Sequence, residues 1–276
     1  MDILERIVEV YSGICGVTGI MLAGSRVSGY SDAYSDFDVY VYTDHPVSIE
    51  ERESAAGEIM EYSEINNQFW ESEDNGILKN GLNGIDVVYR DVDWITGELE
   101  RVVIRHESSC GYTTCLWDNV ISGKILFDRE ENLKRLQKKY TVSYPEDLRR
   151  NIIRKNHSLM RTSLPAYYYQ IEKALKRRDL FSVQHRTTAL LASYFDILFA
   201  VNRMPHPGEK RMLEFLTTNS CVVPENMEND IESLIRHSVI SEPEMMPFLD
   251  IFLDRLDLFL QESEVMEFFP LQKDIA

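Results

Sequence analysis

Residues 35–42 read Ser-Asp-Phe-Asp-Val-Tyr-Val-Tyr, and this octet constrains the chain more than any other stretch. Alternating valine and tyrosine from Val39 onward favour a strand. Successive side chains of a strand point to opposite faces, so Asp36 and Asp38 share one face. Two carboxylates on one face repel each other unless a cation sits between them. A third carboxylate, Asp86, lies in a second strand-like run, Gly84-Ile85-Asp86-Val87-Val88-Tyr89. A Gly-Ser turn, Gly24-Ser25, precedes Ser35 by eleven residues.

These residue types describe a site for Mg²⁺ and a nucleoside triphosphate. Mg²⁺ prefers oxygen ligands and takes one or two protein carboxylates together with substrate phosphates. Two such ions, roughly 3.5–4 Å apart, can clamp the attacking and leaving oxygens of an in-line phosphoryl displacement. Asp36, Asp38 and Asp86 supply the ligand type. Gly24 lets backbone N–H groups approach phosphate closely, and Ser25 adds a hydroxyl. No Gly-Lys-Ser/Thr follows the glycines, so this is not a Walker A loop, and the spacing is not that of a dinucleotide-binding fingerprint.

Charge narrows the partners. The net charge is −17, which disfavours a chain whose main task is gripping a nucleic-acid backbone. The charge is uneven: 13 Lys/Arg against 26 Asp/Glu in residues 1–140, 13 against 6 in 141–211, and 3 against 14 in 212–276. The basic middle segment could face a polyphosphate, although lysines and arginines coating exposed helix faces explain it as well. No apolar run is long enough for a membrane span, and the charged, amphipathic N-terminus does not read as a signal peptide. Cys15, Cys110, Cys115 and Cys221 form no CxxC pair or zinc spacing, which reads as reduced thiols in a cytoplasmic protein.

The hydrophobic pattern predicts a helix over 2–15, strands over 17–23 and 36–43, and a helix over 49–62 capped by Ser48. Further strands are expected over 64–70, 84–90 and 124–128. Asn75-Gly76 and Asn80-Gly81 read as turns, and 91–104 as a helix. From Pro145 the pattern is helical only: 146–163, 165–178, 181–203, 208–218, 225–239 and 243–264, with prolines at breaks or first turns. The expectation is an α+β chain: an α/β domain over 1–142, with a mixed sheet and flanking helices, and an all-helical domain over 143–276.

Gly24-Ser25 followed by Ser35-Asp36-Phe37-Asp38, with Asp86 in a later strand, resembles the signature of the DNA polymerase β-like nucleotidyltransferase superfamily. The helical remainder is similar to that of small bacterial members such as antibiotic nucleotidyltransferases. Residues 194–203 and 206–211 (His-Pro-Gly-Glu-Lys-Arg) resemble the DUF4037-type branch. The resemblance implies transfer of NMP from an NTP, ATP foremost, to a hydroxyl with release of pyrophosphate. Asp36 and Asp38 would bind both Mg²⁺ ions, and Asp86 would complete the catalytic one. Gly24 and Ser25 would hold phosphates, with Ser35 and Arg26 as further nucleotide contacts.

The acceptor is expected to be a small-molecule hydroxyl, with the acidic α/β domain suiting a cationic, aminoglycoside-like compound. A homodimer is compatible with the sequence. The alternatives are a non-catalytic nucleotide-binding or toxin–antitoxin-like interaction protein on the same fold, and an enzyme that modifies a protein hydroxyl.

Other residues divide between functional and structural readings. Lys210, at an expected helix start where the dipole disfavours a cation, reads as a triphosphate ligand or a surface lysine. His206 between two prolines reads as structural, and Asn202 as a helix cap. Of Tyr167, Tyr168 and Tyr169, at least one is expected in the core. Trp70 and Glu71 could line an acceptor pocket, and Glu64 is an alternative base.

Overall fold

The structure is a computed structural model that describes residues 2–29, 35–69, 71–79, 81, 83–240 and 245–263. Residues 30–34, Trp70, Asn80 and Pro243, on which some of the expectations above fall, lie outside the described residues. The chain divides into two compact units. One comprises Met1–Ile104 and Leu116–Ser143, the other Arg105–Cys115 and Tyr144–Ala276.

The first unit runs α1 (Ile3–Ser12), β1 (Val17–Ala23), α2 (Ser25–Ser28), β2 (Phe37–Thr43), α3 (Ile49–Ile59), β3 (Met60–Asn67), β4 (Glu73–Leu78), β5 (Gly84–Asp91) and α4 (Val92–Leu99). A π-helical turn, Glu100–Ile104, extends α4. Then follow α5 (Cys115–Ser122), β6 (Lys124–Asp128) and α6 (Asn132–Tyr140). The six strands form one sheet in the order β3-β4-β5-β2-β1-β6. β2 and β5 are parallel, and every other pairing is antiparallel. The architecture is α+β, as the sequence predicts.

Ser48 caps α3 as expected. Its Oγ accepts from the Glu51 N–H at 3.3 Å, and the Ser48 N–H donates back to Glu51 Oε2 at 3.2 Å, the reciprocal pairing of a capping box. The helix is shorter than the sequence predicts, because Met60 is already extended and begins β3. Asn75-Gly76, expected as a turn, lies inside β4 instead. Asn75 stands opposite Glu64 on one side and Asp86 on the other. Ladders on both edges outweigh the local turn preference of Asn-Gly, because pairing with neighbours decides strand identity more than propensity does.

Alternation then sorts the sheet. Ile20, Leu22, Val39, Val41, Ile85 and Val87 face α1 and α3, packing with Ile7, Val10, Tyr11, Ala55, Ala56 and Ile59. Full burial of each large aliphatic side chain contributes roughly 1.5–3 kcal/mol, so this face fixes the register of β2 and β5. The opposite face carries Asp38, Tyr40, Asp86, Val88 and Arg90. Part of it is covered by α5, whose Asn119 Oδ1 accepts from Tyr40 Oη at 2.8 Å.

The second unit contains α7 (Glu146–His157), a π-helical turn Ser158–Thr162, α8 (Tyr167–Lys176), α9 (Leu180–Val201), α10 (Met212–Thr218), α11 (Met227–Ile240) and α12 (Met245–Glu262). Every residue from Ser193 to Val201 of α9 is buried, the mark of a helix enclosed on all sides. Asn202 caps its end, with Nδ2 donating to the Leu198 carbonyl at 2.8 Å. Arg105–Cys115 joins this unit through a buried polar knot. Asp196 accepts from Thr113 N–H at 3.0 Å, Thr113 Oγ1 at 2.6 Å and Asn156 Nδ2 at 3.1 Å, while Asn156 Oδ1 accepts from Gly111 N–H at 3.0 Å.

Tyr167 and Tyr168 are only half-buried and Tyr169 is exposed, so none of the three is a core residue. The apolar face of α8 is instead Ile171, Ala174 and Leu175. Among the described residues no helix is long and apolar enough to cross a membrane.

Candidate active site on the open face of the sheet

The parallel register of β2 and β5 sets Asp38 directly opposite Asp86. Both are half-buried, and Asp36, one residue before β2, is exposed. The two glycines beside them are spatial requirements. Gly24 follows β1 with φ +66°, and a Cβ there would lie 1.9 Å from Asp38 Oδ2. A Cβ on Gly84 would lie 2.3 Å from Asp36 Oδ1. Each carboxylate is thus seated against bare backbone, which no larger residue permits. Gly24, Gly84, Asp36, Asp38 and Asp86 converge at one end of the two central strands.

Asp86 Oδ1 accepts from Asn75 Nδ2 at 2.7 Å. Asn75 Oδ1 in turn accepts from Asn67 Nδ2 at 3.0 Å. Glu73, two positions before Asn75 on the same strand face, has its carboxyl pushed upward, first by burial and next by the charge of Asp86, while Asn75 opposes the shift by hydrogen bonding. Acidic charge therefore accumulates along this face. Among the described residues, no three His, Cys, Asp or Glu side chains form a group that could hold a metal unaided. Carboxylates are the ligand type that magnesium takes together with phosphate oxygens and water.

Other expected residues are placed differently. Ser25 opens α2 beside Gly24. The Arg26 guanidinium is engaged by backbone: Nε donates to the Asp36 carbonyl at 3.0 Å, Nη2 donates to the Ser35 carbonyl, and the group lies 3.8 Å over the Phe37 ring. It braces the segment that presents Asp36. Glu71 forms a paired bridge to the buried Arg90, at 2.9 and 2.7 Å, and Arg90 lies 3.7 Å over Tyr40. Glu64 accepts from Tyr62 Oη on edge strand β3.

Lys210 is exposed and belongs to the helical unit, in the turn before α10, which starts at Met212. His206 is fully buried and held neutral at pH 7, its pKa lowered to about 4 by burial. Its Nδ1 accepts from Gly208 N–H at 3.1 Å and its backbone N–H donates to Thr114 Oγ1 at 2.7 Å. It is a structural histidine of the helical unit.

Sequence reasoning missed Asn67, Glu73, Asn75 and Gly84. The signal for Gly84 is its position immediately ahead of the strand that carries Asp86. Glu73 and Asn75 stand two apart, the spacing of one strand face, but Asn-Gly obscured it.

Residues 114–212, less than half of the chain, match the family model for DUF4037, a domain of unknown function. The segments 194–203 and 206–211, which carry the resemblance to that branch, lie inside the matched range. No curated protein matches. Among solved structures the chain is similar to a nucleotidyltransferase-like protein from Exiguobacterium sibiricum, at 13% identity over 94% of this chain and 73% of that one, with a TM-score of 0.42. It is also similar to the STING-associated CdnE c-di-GMP synthase from Capnocytophaga granulosa, at 11% identity over 95% and 79% of the two chains, with a TM-score of 0.27. Both likenesses are too distant to bear on chemistry, so the functional reading rests on this chain's own residues.

Proposed function

We propose that the α/β unit is a Mg²⁺-dependent nucleotidyltransferase that moves NMP from an NTP, ATP foremost, to the hydroxyl of a small molecule. The observation that supports this reading most is the facing of Asp38 and Asp86 across a parallel strand pair, with Asp38 seated against the bare backbone of Gly24 and Asp36 against that of Gly84. Carboxylates on one face of a sheet repel each other, and a bound cation relieves that repulsion. Magnesium bound there would neutralise phosphate charge as the bond to the leaving group breaks.

In this reading Asp36, Asp38 and Asp86 bind and orient the cations. Gly24 and Ser25 hold the terminal phosphates through backbone N–H groups and a hydroxyl. The acceptor oxygen bonds to the α-phosphorus, the bond from that phosphorus to the bridging oxygen breaks, and pyrophosphate leaves. Asp86 takes the hydroxyl proton. The acidic face beyond Asp86, with Glu73, suits an acceptor that carries amines.

The test is thermal stabilisation by each of the four NTPs with Mg²⁺, followed by pyrophosphate release against a panel of hydroxyl acceptors. Binding to the folded state raises the melting temperature by mass action. The expected result is a Mg²⁺-dependent shift for at least one NTP that disappears in Asp36→Asn/Asp38→Asn. Folded protein that shifts with no NTP at millimolar concentration would overturn the reading.

A further inference from the structure

Asp86 lies between two kinds of neighbour on the polar face of the sheet. Asp38 meets it across β5 and β2, and Asn75 meets it across β5 and β4. An ionised carboxylate only accepts hydrogen bonds, so the group that Asn75 turns toward Asp86 Oδ1 is its NH₂. That leaves Asn75 Oδ1 facing the opposite way, where Asn67 Nδ2 donates to it. Each amide orientation thus follows from the next. The chain starts at Asn67 near the end of β3, where the β3–β4 pairing shifts register and Asn67 stands opposite Glu73. It ends on one oxygen of Asp86.

We infer that Asn75 is a positioning residue for Asp86, and that Asn67 sets the orientation of Asn75. The inference rests on the proposed function of the site. Pinning Oδ1 removes the rotational freedom of the carboxylate and presents Oδ2 to whatever lies between β5 and β2. The donor is neutral, so it fixes direction without cancelling the charge that attracts a cation. An arginine here would do the reverse, as the Arg52–Asp74 pair elsewhere in the sheet does.

Partners that hold a metal ligand in place typically change metal affinity or activity by about 10–100-fold when removed. The test uses Mn²⁺ as the probe, titrated calorimetrically, with a non-hydrolysable NTP present, into the full chain as wild type, Asn75→Ala and Asn67→Ala. Pyrophosphate release is measured in parallel. Asn75→Ala is expected to weaken Mn²⁺ binding roughly tenfold and to lower kcat by about 10–100-fold with little change in the KM for NTP. Asn67→Ala, which does not touch Asp86, is expected to give the same pattern in weaker form while its melting temperature stays close to wild type.

Wild-type metal binding and kcat in a folded Asn75→Ala protein would overturn the inference and leave the proposed function standing. If Asn75→Ala does not fold, unchanged Mn²⁺ affinity and kcat in Asn67→Ala would overturn it instead. A wild type that binds neither Mn²⁺ nor any Mg²⁺–NTP would overturn the function itself, and with it the role of both asparagines.

Discussion

Asp74 and Asp86 sit on neighbouring strands of one sheet, yet their surroundings are opposite in kind. Asp74, on β4, points into the face covered by α1 and α3 and is fully buried. Arg52 of α3 grips it through Nε at 3.1 Å to both oxygens and through Nη2 at 2.6 Å, and the Asn66 N–H adds a bond at 2.9 Å. Arg52 is also buried, and lies 4.3 Å over the ring of Tyr89. Asp86, on β5, points to the other face, where it meets Asp38 and the neutral amide of Asn75. A buried carboxylate with its own arginine is a closed electrostatic unit that ties the β3–β4 hairpin to α3. A half-buried carboxylate facing another carboxylate is open, and has charge left for a ligand. Strand alternation alone separates the two.

The contrast breaks most sharply at the carboxylate pair. Asp38→Asn is expected to lower nucleotidyl transfer by roughly 10³–10⁴-fold, about 4–5.5 kcal/mol in the barrier. Pyrophosphate release by folded protein, with a thermal melt on the same sample as the control for folding, checks it.

The closed pair should respond in the opposite currency, stability. Arg52→Met strands the Asp74 charge in the core and is expected to cost about 3–5 kcal/mol. Arg52→Met/Asp74→Leu should recover most of that loss. Urea denaturation of the two variants decides it: equal losses would mean the pair does not act as a unit.

Asp196 in the helical unit sharpens the comparison, because it is a buried carboxylate held by the hydroxyl and amide donors of Thr113 and Asn156. Burial raises its pKa to about 6, against the hydrogen bonds that pull it down. The folded state therefore holds this proton more tightly than the unfolded chain does. The resulting stability is fully present below about pH 4 and is lost as the pH rises through about 6. Relative to Asp196→Asn, wild type should gain about 2–3 kcal/mol as the pH falls across that window. Denaturation curves for both proteins at several pH values give the difference; a flat difference would show that Asp196 titrates alike in both states.

The smallest stability effect is expected from Gly24→Ala. Its φ of +66° and ψ of −155° belong to a region nearly reserved for glycine, costing of the order of 1–3 kcal/mol for another residue. The added methyl would also push against Asp38. A modest drop in melting temperature together with loss of the Mg²⁺–NTP shift is the expected signature. Retention of the full shift would show that the close approach at Gly24 is dispensable.

Much of this was readable from the chain. The Val-Tyr alternation placed Asp36 and Asp38 on one face, and Ser48 with Glu51 marked the start of α3. Asn202 was legible in its capping role. The misreadings share one physical origin. Asn75-Gly76 is a turn by local propensity and a strand by virtue of neighbours on both sides. The tyrosines at 167–169 are apolar enough for a core, yet α8 has Ile171, Ala174 and Leu175 to bury instead.

What the sequence determined by itself is the set of properties that depend on the nearest few residues: most of the helices and strands, and which side chains of a strand share a face. Tertiary structure alone decided which strands meet. The parallel pairing of β2 with β5 brings together Asp38 and Asp86, 48 residues apart in sequence. The insertion of β4 beside β5 delivers Asn75 to Asp86 and Asp74 to Arg52. Those pairings are set by how the apolar faces of the whole sheet fill the space under α1 and α3, a condition that no local window of sequence contains.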